Sequence, residues 1–223
     1  MPPKTSHRSA FANDPRFLER LAKQGISAPV NPTPKQTTNV EQHANESPPK
    51  ESKATTRLKK VRDTNMDGRR DQALYDPASG GLLFAFPGAL LLSLNVMLRV
   101  HDAKGTGLKA TWFKRVEALR LENVSTIERW RASATFPIVV EEVYITKSNL
   151  LDTESVTAAC KPVIDALVSN GILPDDSPAY ISHPIGFTER GVTPGLYVRF
   201  RPSPRPWGLI EDATMELARQ PWI

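Results

Sequence analysis

Asp152 and Glu154, separated by one residue, are followed by Lys161, Asp165 and the Asp175-Asp176 pair, all within LLDTESVTAACKPVIDALVSNGILPDDSPAYI, residues 150 to 181. Oxygen-rich carboxylate sets of this kind suit hard divalent cations such as Mg²⁺, which take carboxylates plus water. Phosphodiester hydrolysis needs a nucleophilic water and relief of the charge that builds on the phosphorus-bound oxygens. A carboxylate-held metal supplies both. A nearby lysine such as Lys161 can orient the water or offset that charge. The same residues have a plainer reading, with Asp152 capping a helix and Asp175-Asp176 decorating a turn after Pro174. Spacing alone favours the plainer one.

The elements that must position these groups are legible around them. Val156, Cys160, Val163, Ile164, Leu167 and Val168 recur at helical spacing and predict a helix over 153–169. Lys161 and Asp165 share a face of it, Asn170-Gly171 closes it, and Pro162 is expected to kink or restart it. The run FPIVVEEVYIT, 136–146, is β-branched and aromatic, a strand that would put Asp152 at its C-terminal mouth. Upstream, LLFAFPGALLLSLNVML (82–98) carries no charge. Pro87-Gly88, Ser93 and Asn95 break it, so it reads as a strand over 82–86, a turn and a second apolar segment, not a membrane span. Lys109 to Asn123 reads as an amphipathic helix, with Trp112, Val116 and Leu119 on one face and Lys114, Arg115 and Arg120 on another. A second helical piece follows over 125–131. Strands are expected over 179–189 and 195–201, and a helix over 209–219. That order gives an α+β domain spanning 76–223.

Charge divides the chain. Residues 1–75 hold 14 Lys and Arg against 8 Asp and Glu, whereas residues 76–223 hold 15 against 16. The basic N-terminal segment therefore suits a polyanion, nucleic acid or an acidic surface. Its Pro, Gln, Thr, Asn, Lys and Glu content predicts a disordered extension over 1–75. A short helix is expected over 14–24, capped by Asp14, started by Pro15 and closed by Gly25. Arg57, Lys59 and Lys60 form a phosphate-binding arm. Asp63 to Gly68 resembles a calcium loop but lacks its closing Glu. One cysteine, Cys160, excludes a disulfide framework and a cysteine-cluster zinc site. Residues 1–30 are too polar for a signal peptide, so a cytoplasmic, reducing location is expected.

The run LDTES…ACKPVIDALV…GILPDDSPAYI resembles the RusA-like family of crossover junction endodeoxyribonucleases, found in phages and prophages. The FPG…SLN segment with Asn95 is similar to that family's N-terminal strand and following Asn loop. The resemblance covers residues 82 to 201. It implies a single mixed-sheet domain in a homodimer that binds four-way DNA junctions and cuts them with Mg²⁺, in recombination, repair or phage DNA processing. By position, Asp152, Glu154 and Asp176 would form the acidic metal site with Asp175 beside it, and Lys161 would be the essential basic residue. DNA contacts are expected from Asn95, Lys109, Lys114 and Arg115, and from the arm of Arg57, Lys59 and Lys60. The domain is near neutral, so Lys109, Lys114, Arg115, Arg199 and Arg201 must cluster on one face or the extension must supply the phosphate contacts. Two positions depart from the family: Glu154 stands where it has Asp and Ser155 where it has Asn. The extra methylene of Glu154 displaces its oxygens by more than ~1 Å, which Mg²⁺ tolerates badly. This implies turnover that is weak, Mn²⁺-dependent or lost. The alternatives are a branched-DNA binder that does not cut and a non-enzymatic interaction domain.

Overall fold

A computed structural model describes residues 52–99 and 102–220. The helix expected over 14–24 lies outside them. The chain forms α1 (Lys53–Asn65), β1 (Gln72–Asp76), β2 (Gly81–Pro87), α2 (Leu94–Met97), α3 (Asp102–Glu122) and α4 (Val124–Ser133). There follow β3 (Ile138–Thr146), α5 (Thr153–Ser169), β4 (Ile181–Arg190), β5 (Gly195–Pro202) and α6 (Asp212–Arg219). The strands make one five-stranded sheet in the order β1-β2-β5-β3-β4. β3 and β4 run parallel, and the other three neighbouring pairs are antiparallel. The fold is α+β with a mixed sheet, as the α+β pattern predicts.

Strand periodicity decides which face is covered. Along β3, Ile138, Val140, Glu142, Tyr144 and Thr146 alternate onto the buried face, while Glu141, Val143 and Ile145 on the other face are half-buried. The same buried face carries Phe84, Phe86 and Phe200, and α3, α4 and α5 pack on it. Trp112 of α3 meets Phe86 edge-on at 5.3 Å, and Trp130 of α4 lies 5.6 Å from Phe200. Each such side chain, fully removed from water, contributes roughly 2–3 kcal/mol. α5 runs unbroken through Pro162, whose ring is buried in the core. The expected restart does not occur; packing outweighs the lost backbone bond.

The folded unit takes in residues 52 to 75, which were expected in the extension. Ser52 caps α1 by accepting from the Thr55 N–H, and Leu58, Val61 and Ala73 are buried. Asn65, fully buried, clamps Leu90: its amide donates to the Leu90 carbonyl at 2.9 Å, and its Oδ1 accepts the Leu90 N–H at 2.8 Å. The segment resembling a calcium loop is therefore a structural joint. Two buried apolar positions on a helix of this charge give too faint a local signal. Tertiary packing, not propensity, holds such a helix.

Arg115, expected on a phosphate-binding surface, is instead buried. Its guanidinium grips Asp71 through two 2.7 Å hydrogen bonds and lies over the rings of Phe86 and Trp112. Residues 82–98 become β2, a turn at Gly88 (φ 77°) and α2. No helix among the described residues is long and apolar enough to cross a membrane.

Candidate functional site

The parallel pair β3 and β4 requires a crossover, and α5 supplies it. Everything singled out for chemistry sits along this β3–α5–β4 unit. Asp152 lies beyond the C-terminal end of β3, as expected, and is the N-cap of α5. Its Oδ1 accepts the Ser155 N–H at 2.6 Å. That backbone bond, then the Ser155 hydroxyl, holds its carboxyl below the usual carboxylate range. Ser155 Oγ in turn accepts the Leu94 N–H at 3.1 Å, which ties α2, and so the exposed Asn95, to the start of α5. Ser155 is thus spent on structure. Glu154 is exposed in the first turn, where the helix dipole suits an anion.

Farther along α5, Lys161 hydrogen-bonds Asp176 and pairs with Asp165 at 2.7 Å. Lys109 of α3 reaches Asp165 at 3.4 Å, so the charges alternate in the series Lys109, Asp165, Lys161, Asp176. Partial burial works to lower the Lys161 pKa, but the bonds to Asp165 and Asp176 outweigh it and raise it. Lys161 likewise holds Asp176 below its ordinary value. Asp175 is exposed, and its Oδ1 accepts the Asp176 N–H at 2.8 Å. The turn that returns the chain to this point is set by Gly171, at φ 69°.

A cavity of about 220 Å³ lies between these groups and the sheet, lined among others by Glu142, Thr157, Lys161, Asp176 and Pro184. An open groove of about 720 Å³ beside it is lined by Glu154, Thr157, His183, Pro184 and Gly186 among others. Thr157 and Pro184 border both. Glu142 is the unexpected member. It is 1 % exposed, and burial pushes its carboxyl up to about 8, against the lowering effect of a hydrogen bond with Thr157. Its Oε2 has no hydrogen-bond partner among the described residues. Gly186 sits opposite Glu142 in the β3–β4 register. A Cβ there would lie 2.6 Å from the Thr153 carbonyl oxygen and 2.8 Å from Thr157 Oγ1, so only glycine lets α5 lie this close to β4. That approach is what brings Thr157 to Glu142.

The carboxylates expected to share Mg²⁺ do not converge. Asp152 and Glu154 stand at the start of α5, whereas Asp175 and Asp176 precede β4 at the other end of the unit. Glu154 and Lys161 alone are ~10 Å apart along the helix axis, at 1.5 Å per residue. No group of three His, Cys, Asp or Glu residues among the described residues is placed to hold a metal ion. The structure does bring Lys161, Asp176 and Lys109 together. Of the other expected DNA contacts, Arg57, Lys59 and Lys60 are exposed on α1 and Lys114 on α3. Arg199 and Arg201 lie on the opposite, open sheet face, paired with Glu141 at 3.7 and 2.6 Å. The basic residues therefore do not share one face. Glu142 left a trace in the sequence: of two adjacent glutamates in an alternating strand, one must point to the covered side. No family model, no curated protein and no solved structure matches this chain.

Proposed function

We propose that this domain is a divalent-metal-dependent DNA endonuclease of the RusA-like kind, acting on four-way junctions as a homodimer. One observation carries the reading. Lys161 and Asp176, fifteen residues apart in the chain, meet at the mouth of a cavity whose inner wall holds a second carboxyl, Glu142. A lysine and two carboxylates in one depression are the residue types that phosphodiester hydrolysis uses. Exposed Lys109 and Lys114, with Arg57, Lys59 and Lys60 on α1, supply cations for phosphate contacts. Purified protein incubated with synthetic four-way junctions and Mg²⁺ or Mn²⁺ is expected to incise them, and Asp176→Asn or Lys161→Ala to abolish incision. No incision with either metal, or incision indifferent to both substitutions, defeats the assignment.

A second reading has its own observation. Asp152 is engaged as a helix cap and Glu154 stands apart from Asp176, which favours a domain that binds branched DNA without cutting it. It expects junction affinity that falls steeply with salt, and no nicks with either metal.

A further inference from the structure

We propose that the outer edge of β4 takes an extended peptide of another protein as a sixth strand, one that alternates basic and apolar residues. The peptide lies in the groove between β4 and the first turns of α5. Such binding needs no incision and is independent of the nuclease reading.

Three observations lead there. First, the edge is open. β4 is the last strand of the sheet, ten residues long, and none of its residues is buried. A parallel strand is ordinarily covered on both faces. Pro184 has no N–H to give, and a proline in a strand turns that side outward. Backbone groups alternate sides along a strand, so Gly186 and Thr188 face outward with Pro184. Their N–H and C=O groups are the ones a further strand meets. Natural edges are blunted by lysine, proline or a covering element. From Ile185 to Thr188 this one carries no charge and no proline. Second, the edge borders a groove. The groove of about 720 Å³ has Thr153, Glu154, Thr157 and Ala158 of α5 on one side and His183 to Gly186 of β4 on the other. A free strand edge holds a peptide by main-chain hydrogen bonds, and pockets for alternate side chains give specificity. Third, the two faces of the edge differ in chemistry. Gly186 lies against Thr153 and Thr157, so Ile185 and Phe187 point to the open face, where Phe187 is 54 % exposed. A peptide side chain on the α5 side meets Glu154, which is exposed and in no ion pair among the described residues. That position suits a basic residue. The next side chain falls beside Phe187, where a cross-strand apolar residue packs. Successive residues of a strand point to opposite faces, so the partner alternates the two types.

The test is fluorescence anisotropy of labelled, end-blocked octapeptides with the full chain. A peptide alternating lysine and valine is expected to bind saturably, and its glutamate–valine counterpart at least tenfold more weakly. N-methylation removes backbone donors. Applied to the lysines alone or to the valines alone, it should abolish binding in one case only, because one set turns its N–H groups to β4. Bound peptide should slow hydrogen exchange at the Gly186 and Thr188 amides. Glu154→Gln and Phe187→Ser, both at exposed positions and with melts near the parent's, should each weaken the lysine peptide at least threefold. The peptide comparisons stand even where a variant does not fold. No saturable binding, equal affinity for the lysine and glutamate peptides, or indifference to both N-methylated sets overturns the proposal. Binding that leaves the Gly186 and Thr188 amides unchanged places the peptide elsewhere and overturns it too. So does a dimer, seen in analytical ultracentrifugation, that the peptide dissociates, because a second copy then occupies the edge.

Discussion

Two ion pairs in this domain have the same chemistry and opposite surroundings. In Arg115–Asp71 the side chains are 1 % and 2 % exposed; in Lys161–Asp176 they are 56 % and 37 % exposed. The buried pair is closed. Arg115 also donates to the Asn65 carbonyl at 3.3 Å and the Pro87 carbonyl at 3.4 Å, so α3 is fastened to the segments on either side of β1. Burial raises the Asp71 pKa even against the pull of Arg115. The exposed pair is open. Lys161 has a second carboxylate in Asp165, and Asp165 has a second cation in Lys109. Charges that are fully satisfied and dry hold the fold together; charges that are redundant and wet are free to meet a ligand. Lys114 and Arg115 are neighbours in sequence and fall on opposite sides of that division.

Breaking the closed pair should have the largest effect on stability. Removing one partner of a buried pair leaves an uncompensated charge and costs about 3–5 kcal/mol. Arg115→Met and Asp71→Leu are each expected to lose that much in urea unfolding. Lys161→Met should lose under about 1 kcal/mol, as exposed pairs do. Equal losses in Arg115→Met and Lys161→Met would erase the distinction.

Glu142 sharpens the comparison because it is buried like Asp71 but forms no ion pair among the described residues. Its folded pKa, about 8, lies above the ordinary carboxyl value of 4.5. Between those values the folded protein holds a proton that the unfolded chain has released. Stability from this group is therefore complete below the ordinary value and declines as pH rises toward the folded one. By pH 8 the decline should be on the order of 4 kcal/mol, at about 1.4 kcal/mol per pKa unit. Glu142→Gln should flatten that part of the stability–pH curve and leave the protein more stable than the parent at pH 8. A parent curve that is flat over this range would mean the carboxyl is already compensated.

The helix over 153–169, the strand over 136–146 and the strand starting at Gly195 were legible because each carries a sustained apolar period. α1 and β1 were not, because Leu58, Val61 and Ala73 are too few among charged neighbours to show a period. The Asp71–Arg115 pair spans 44 residues and leaves no local mark. At the candidate site the Lys161–Asp165 pairing was readable from its four-residue spacing. Its extension to Asp176 depends on the Gly171 turn and on where β4 begins. Linear closeness also misleads: a 17-residue helix carries its two ends ~25 Å apart, so acidic pairs adjacent in sequence to the same helix need not meet.

Gly186 tests whether the cavity depends on the close approach of α5 to β4. Adding a methyl group forces the helix outward against backbone and Thr157 atoms. Gly186→Ala is expected to cost about 1–3 kcal/mol, typical of overpacking. An unchanged melting temperature would show that α5 moves aside freely.

The smallest effect separates a structural carboxylate from a chemical one. Asp152 caps α5 through the Ser155 N–H, a role that asparagine fills about as well and alanine does not. Asp152→Ala should lower the melting temperature by roughly a few degrees, and Asp152→Asn should leave it nearly unchanged. If the cap is the whole role of Asp152, Asp152→Asn also preserves junction binding and any incision, unlike Asp176→Asn. A melt that matches the parent together with lost incision would return Asp152 to the reacting groups. It would mean that the start of α5 and the cavity at Lys161 act on the same substrate.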